Sequence, residues 1–197
     1  KGTVIGHIEL QVPGHHNLLN AAGTLALGLL FDLNPAALIS GLHSFRGAGR
    51  RFELKATVGG IRIIDDYGHH PTEIAVTLEA ARRYVGDGNL IVIFQPHRYS
   101  RTQAFTKEFA ESLKIADQAW VLEVYAASEQ PISGVSSANI TKLIPGAKFE
   151  PNFIAVTEAI ADAASPGDVI MTLGAGDVSS LGPLILDELA KRFDSAS

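Results

Sequence analysis

The sequence predicts an α/β protein: a mostly parallel sheet with helices on both faces, preceded by a short helical segment. Three observations carry this. Short apolar runs at residues 61–64, 90–94, 119–124 and 168–173 alternate with stretches of helical spacing, the order of strands and covering helices in a parallel sheet. The run LIVIF at 90–94 is apolar without a break, as a strand buried on both faces must be. Each of these runs is followed at once by a polar cluster (DDYGHH, QPHRYSR, YAASE, GAGD). In a parallel sheet all four clusters fall on the carboxyl edge, where open α/β sheets bind ligands. A polar cleft is expected there and a plain opposite edge.

In chain order, residues 3–12 alternate loosely (Val4, Ile8, Leu10, Val12) and read as a strand or hairpin arm that Pro13 and Gly14 end. A helical run follows over 18–31, with Asn17 placed as an N-cap. Asn20 lies three residues on, on the same side of that helix. A side-chain amide carries a donor and an acceptor together, which suits the edge of a nucleobase, although capping accounts for Asn17 equally well. Asn34 and Pro35 open a second helix reaching about Phe45. The stretch RGAGRR at 46–51 is a Gly-rich basic connector and the expected domain boundary, between residues 49 and 50. Arg50 and Arg51 suit phosphate oxygens, but also a solvated linker.

Beyond the boundary, residues 52–58 and 61–64 flank Gly59-Gly60, a hairpin signal. Pro71 fits the first turn of a helix over 72–85, whose positions Ile74, Leu78, Ala81 and Val85 share one face. The helix after QPHRYSR carries Phe105, Phe109 and Leu113; shorter helices are expected at 140–144 and 157–164, and a last one at 180–193.

Hydrophobic residues make up 46% of the 197 and charged residues 19%, which excludes a disordered chain. A net charge of −5 argues against general nucleic-acid binding, so an anion site must be local. With no cysteine there is neither a disulfide nor a thiolate metal site, and a reducing cytoplasm is allowed. No apolar stretch is long enough to span a bilayer; the best, 21–31, is broken by Gly and Thr. The chain opens on Lys1 rather than Met and reads as an excerpt of a longer protein.

Two constellations carry the chemistry. Asp65, Asp66, His69 and His70 lie between a strand and a helix. Each alone fits a turn or cap; four together favour substrate or nucleotide binding over a metal site. His97, Arg98 and Arg101 place two guanidiniums three residues apart beside an imidazole, suited to gripping a carboxylate through charge-assisted bonds. Gly174-Ala175-Gly176 is only a partial dinucleotide fingerprint, since Ser179 holds the third Gly position. No GxxxxGK[ST] phosphate loop, nucleophile elbow or HExxH occurs.

Together PGHHNLLNA, RRFE, DDYGHHPTEI, FQPHRYSRT and GAGD resemble the Mur ligase family over nearly the whole chain and in the family's order. HRYSRT favours the branch that adds L-alanine over the branch that recycles murein tripeptide. The resemblance implies a Rossmann-like carboxyl-terminal ligase domain over 50–197, with residues 1–49 as the tail of a central ATP-binding domain whose phosphate loop and magnesium ligands lie upstream. It implies ATP with Mg2+, and the partners UDP-N-acetylmuramate and L-alanine, joined through an acyl phosphate in peptidoglycan synthesis in the cytoplasm. His16, Asn17 and Asn20 match the family's adenine contacts. Arg51 matches an arginine that reaches the nucleotide phosphates, and Asp66 the acid that holds the ribose hydroxyls. His69 and His70 match positions close to the cleft; His97, Arg98 and Arg101 match those around the incoming alanine. Two departures are His15, where Arg or Lys is usual, and Gly68, where Ala is common. The alternative on the residues alone is a free-standing nucleotide- or carboxylate-binding module without catalysis.

Overall fold

The alternation of apolar runs resolves into one six-stranded sheet in the computed structural model, which describes residues 4–194. The chain divides between Gly49 and Arg50 into two units.

In the second unit, Gly59 and Gly60 take positive φ, as a tight turn requires, and join β1 (Glu53–Val58) antiparallel to β2 (Ile61–Asp66). From β2 the chain passes through α3 (Pro71–Val85) to β3 (Leu90–Phe94), then α4 (Tyr99–Leu113), β4 (Gln118–Val121), α5 (Ala138–Thr141) and β5 (Lys148–Phe149). Helix α6 (Phe153–Ala163) leads to β6 (Val169–Leu173), which inserts between β2 and β3; α7 (Leu181–Asp194) closes the chain. The sheet order is β1-β2-β6-β3-β4-β5, parallel except for β1. Because β6 lies between β2 and β3, the loops that leave these three strands are neighbours.

Both faces are covered. Leu90, Val92 and Phe94 of β3 pack with Ile74 and Leu78 of α3 and Phe109 and Leu113 of α4. Ile91 and Ile93 face the other way, with Val156 and Ile160 of α6 and Ile185 and Leu189 of α7. That two-sided burial is why LIVIF shows no polar alternation.

The first unit holds α1 (His15–Leu30) and α2 (Pro35–Ser44). The Asn34 side chain caps α2 by accepting from the Ala36 and Ala37 amides, at 2.9 and 3.4 Å. Only Ala21 and Gly28 of α1 are buried, and no residue of α2.

Several expectations are corrected. The strand over 3–12 does not form: residues 4–12 are irregular, with no strand beside them to pair, and are held by His43 against the Glu9 carbonyl and Arg46 against Gln11 (Thr3 lies outside the described residues). Asn17 is not the N-cap. Gly14, at φ 103°, starts α1 three residues earlier, and Asn17 instead donates to the Pro13 carbonyl at 2.6 Å. Strand β2 runs on through Asp66, so both carboxylates sit in the sheet rather than in the loop. Strand β4 stops at Val121, because the chain then leaves the sheet and makes a single bridge from Tyr125 to His97. The two-residue strand β5 has too little pattern to be seen in sequence. The opposite edge is not plain: Asp168 accepts from the Asn89 amide, Asp117 from the Leu90 amide and Arg82, and Arg62 donates to three backbone carbonyls. Those polar groups are engaged in closing strand starts, so they present no cleft.

Candidate functional site

The carboxyl edge is built by four loops whose side chains meet. Asp65 and Asp66 end β2 and point to opposite faces. Asp65 is 1% exposed and accepts from Arg50 Nε at 2.9 Å and Thr172 Oγ1 at 2.7 Å. Asp66 is 4% exposed and accepts from the Phe52 amide at 2.8 Å and the Gly68 amide at 2.7 Å. Burial pushes its carboxyl above the ordinary value, against the pull of those two amides. Neither acid presents a free oxygen to the edge.

The two arginines at the domain start differ in the same way. Arg50 donates to Asp65 and to the Gly174 carbonyl at 2.6 Å, which ties the β2 end to the GAGD loop. The Arg51 side chain is half exposed, lies over the Tyr67 ring at 5.5 Å and stands 4.0 Å from Glu73. Of the pair, Arg51 is the one whose guanidinium is open to an anion.

A row of rings runs across the edge. Tyr67 meets His69 edge-on at 5.1 Å, His69 lies 5.8 Å from His97, and His97 stacks on Tyr125 at 5.5 Å and 15°. His97 also receives Arg101 Nη1 on Nδ1 at 3.4 Å; a guanidinium can only donate, so that nitrogen is unprotonated. Burial, then Arg101, His69 and Arg98, hold the His97 imidazole below 6.5. Arg98, at φ 74°, precedes α4 with its side chain exposed. His70 serves as the N-cap of α3: its Nδ1 accepts from the Thr72 amide at 3.3 Å, and its ring packs on Phe105. Glu73 accepts from the His69 and His70 amides at 3.1 and 3.2 Å. Burial raises the Glu73 carboxyl, but those amides together with the His69 and Arg51 charges outweigh it and hold it below 4.5.

What this edge can do follows. It sets a neutral imidazole among cations, beside the exposed Arg98 and the half-buried Arg101 that donates to it, with a third guanidinium, Arg51, on the same edge. That is a receptor for carboxylate or phosphate oxygens.

A family model described as Mur ligase, glutamate ligase domain, matches residues 50–176. The chain belongs to the Mur ligase family. It is 50% identical over 193 residues to the UDP-N-acetylmuramate-L-alanine ligase of Acidobacterium capsulatum, covering 97% of this chain and 42% of that protein. It is 48% identical over 189 residues to the same-named ligase of a Mycobacterium species, covering 94% and 39%. The crystal structure of the Thermotoga maritima UDP-N-acetylmuramate-alanine ligase superposes with a TM-score of 0.76 at 30% identity, over 96% of this chain and 40% of that one. The chain thus spans about two fifths of the length of the curated relatives it matches.

Within this Mur ligase chain the residues singled out in sequence fall into three groups. His69, His97, Arg98 and Arg101 come together on the carboxyl edge, with Arg51 on the same edge. Asp66 and His70 lie there too, but their polar atoms are engaged in holding the loop and the start of α3. His16, Asn17 and Asn20 lie in the first turns of α1 in the other unit; Asn20 is exposed, and the His16 Nδ1 is enclosed without a partner among the described residues.

Three further residues of the sequence motifs, Gln95, Tyr125 and Tyr67, complete the edge. Gln95 donates to Asp177 at 2.7 Å and accepts from the Val178 amide at 3.1 Å, joining the loops after β3 and β6. Tyr125 backs His97. Gly176 has no room for a side chain, because a β-carbon there would stand 2.3 Å from Gln95 Oε1 and 2.7 Å from Tyr125 Cγ. The third is Tyr67, the end of the ring row.

The neutral imidazole has a measurable consequence. His97 is expected to titrate below 6.5 by imidazole nitrogen NMR, and Arg101→Ala is expected to move that midpoint up by removing the nearest cation. A lowered histidine binds fewer protons folded than unfolded. Its contribution to stability is therefore full above 6.5 and is lost as pH falls from there through the folded value.

Proposed function

We propose that this chain supplies the amino-acid-accepting part of an ATP-dependent amide ligase that joins L-alanine to UDP-N-acetylmuramate, as its relatives of that name do. The observation that carries the reading is exposed Arg98 and half-buried Arg101 beside neutral His97 on the carboxyl edge.

In this reading ATP phosphorylates the muramate carboxylate to an acyl phosphate. The L-alanine amine attacks the acyl carbon, and the tetrahedral intermediate collapses with loss of phosphate. Arg98 and Arg101 hold the alanine carboxylate, which aims its amine and leaves no free rotation to lose in the transition state. His97, neutral and flanked by His69 and Tyr125, lines the same place without adding a charge that would draw the amine's electron pair away. Arg51 meets phosphate oxygens. His16, Asn17 and Asn20 are the proposed adenine contacts, Asp66 the proposed ribose contact, and His69 and His70 line the acceptor side. Residues 1–49 correspond to the tail of the central ATP-binding domain, and 46–51 to a hinge. Among the described residues no three acidic or imidazole side chains cluster to hold a metal ion, and Asp65 and Asp66 are each closed by other donors. The chain's own described residues thus do not fit a magnesium site.

The setting is a cytoplasmic enzyme of peptidoglycan synthesis. No helix among the described residues is long and apolar enough to cross a membrane. Calorimetry of the 197-residue chain with ATP separates this reading from a self-sufficient binding module. Weak or absent binding is expected, together with no ATP-dependent phosphate release on adding UDP-N-acetylmuramate and L-alanine. Tight binding or turnover by this chain alone would overturn it.

A further inference from the structure

The loop after β4 does more than connect. Its Tyr125 amide donates to the Pro96 carbonyl and its Tyr125 carbonyl accepts from the Arg98 amide, both at 2.8 Å, so it pairs with the backbone just ahead of α4. Four residues on, the Glu129 carboxylate accepts from the Ser100 amide at 2.9 Å and the Ser100 hydroxyl at 2.6 Å. Arg98, in the N-cap position of α4, gives no side-chain cap, so Glu129 caps the helix from another loop. Three non-glycine residues take positive φ where the two segments meet: Arg98 at 74°, Ala127 at 48° and Ser128 at 72°. Such conformations persist only where surrounding bonds hold them.

We propose that Glu129 is a positioning residue for the arginine pair: by fixing Ser100 it sets the first turn of α4, and with it the direction of Arg98 and Arg101 toward the amino-acid carboxylate. The assignment rests on the ligase reading for what the arginines bind, but not for the clamp itself. The bonds from Ser100 hold the Glu129 carboxyl below its ordinary value, which favours the ionised acceptor. Nothing in YAASE marks this glutamate in the sequence, because its partner is 29 residues away.

Two measurements test it separately. In the 197-residue chain, Glu129→Ala is expected to speed hydrogen exchange of the Ser100 amide about fivefold, the size of a lost helix cap, with the β2 and β6 amides unchanged. In the ligase of which the chain is proposed to be part, the same change is expected to raise the KM for L-alanine about fivefold while leaving the KM for ATP and the kcat at saturating alanine. Glu129→Gln keeps one acceptor oxygen and should fall between the two in both assays. Unchanged exchange at Ser100 overturns the proposal whatever the arginines bind. Faster exchange with an unchanged alanine KM overturns it as well, and Arg98→Ala in the same assay shows whether the ligase reading fails with it.

Discussion

Replacing Arg98 or Arg101 by alanine in the intact ligase is expected to raise the KM for L-alanine by roughly 10- to 150-fold each, the range of about 1.5–3 kcal/mol that a hydrogen bond to a charged group contributes. The two differ in what else they touch. Arg98 has an exposed side chain and takes part in the fold through its backbone, which donates to Tyr125 and accepts from Thr102. Its side chain can be removed with little effect on stability, so its loss should appear almost purely in alanine binding. Arg101 also meets His97 Nδ1 and depresses it more than Arg98 does, so its removal frees the imidazole to protonate and adds a larger pH dependence than Arg98→Ala. The double variant should lose more than either but less than the product, since both grip one small carboxylate. Arg→Lys at either position should recover only part, because an ammonium cannot make the paired bonds of a planar fork. Initial rates at varied alanine and saturating ATP check this. If alanine dependence is unchanged in both single variants, the pair is not the carboxylate receptor.

How much of this was legible in the sequence depends on whether a group's partner is near in the chain. LIVIF declared a two-faced strand because burial on both sides leaves only apolar residues. Pro71, Asn34 and the Gly59-Gly60 turn declared their elements because caps and turns are local chemistry. The clustering of four loops on one edge followed from parallel strands alone. What could not be read was which polar group is free. Arg50 and Arg51 are adjacent and identical in type, yet one is tied to Asp65 and Gly174 and the other is open. Glu129 and Gln95 act on partners across the fold, at separations of 29 and 82–83 residues, for which no local pattern exists. Residues 4–12 show the converse: alternation alone makes no strand where no neighbouring strand offers hydrogen bonds.

Asp66 decides between two roles, and its removal should have the largest effect on the fold. Asp66→Ala strips the acceptor from the buried Gly68 amide and from the Phe52 amide, whose residue sits at φ 49°. Leaving both unpaired is expected to cost about 2–4 kcal/mol, which lowers the melting temperature of the chain by roughly 5–15 °C. No nucleotide is needed for that loss. Asp66→Asn should cost less, because one amide keeps an oxygen while the other meets an NH2 group. The pH dependence adds a sign. A carboxyl held above its ordinary value binds its proton more readily folded than unfolded, so wild type loses stability relative to Asp66→Asn as pH rises from about 3.8 through the folded value. Gly68 bears on the same point, since a β-carbon there would stand 2.8 Å from Asp66 Oδ1. Its bare backbone is what lets the carboxylate turn inward onto the amide. A melting temperature that does not move in Asp66→Ala would mean that the carboxylate is not needed by the fold and is free to meet a ribose. The large drop expected here would mean that any ribose contact must first break two protein hydrogen bonds, making Asp66 a latch that nucleotide binding opens at a cost.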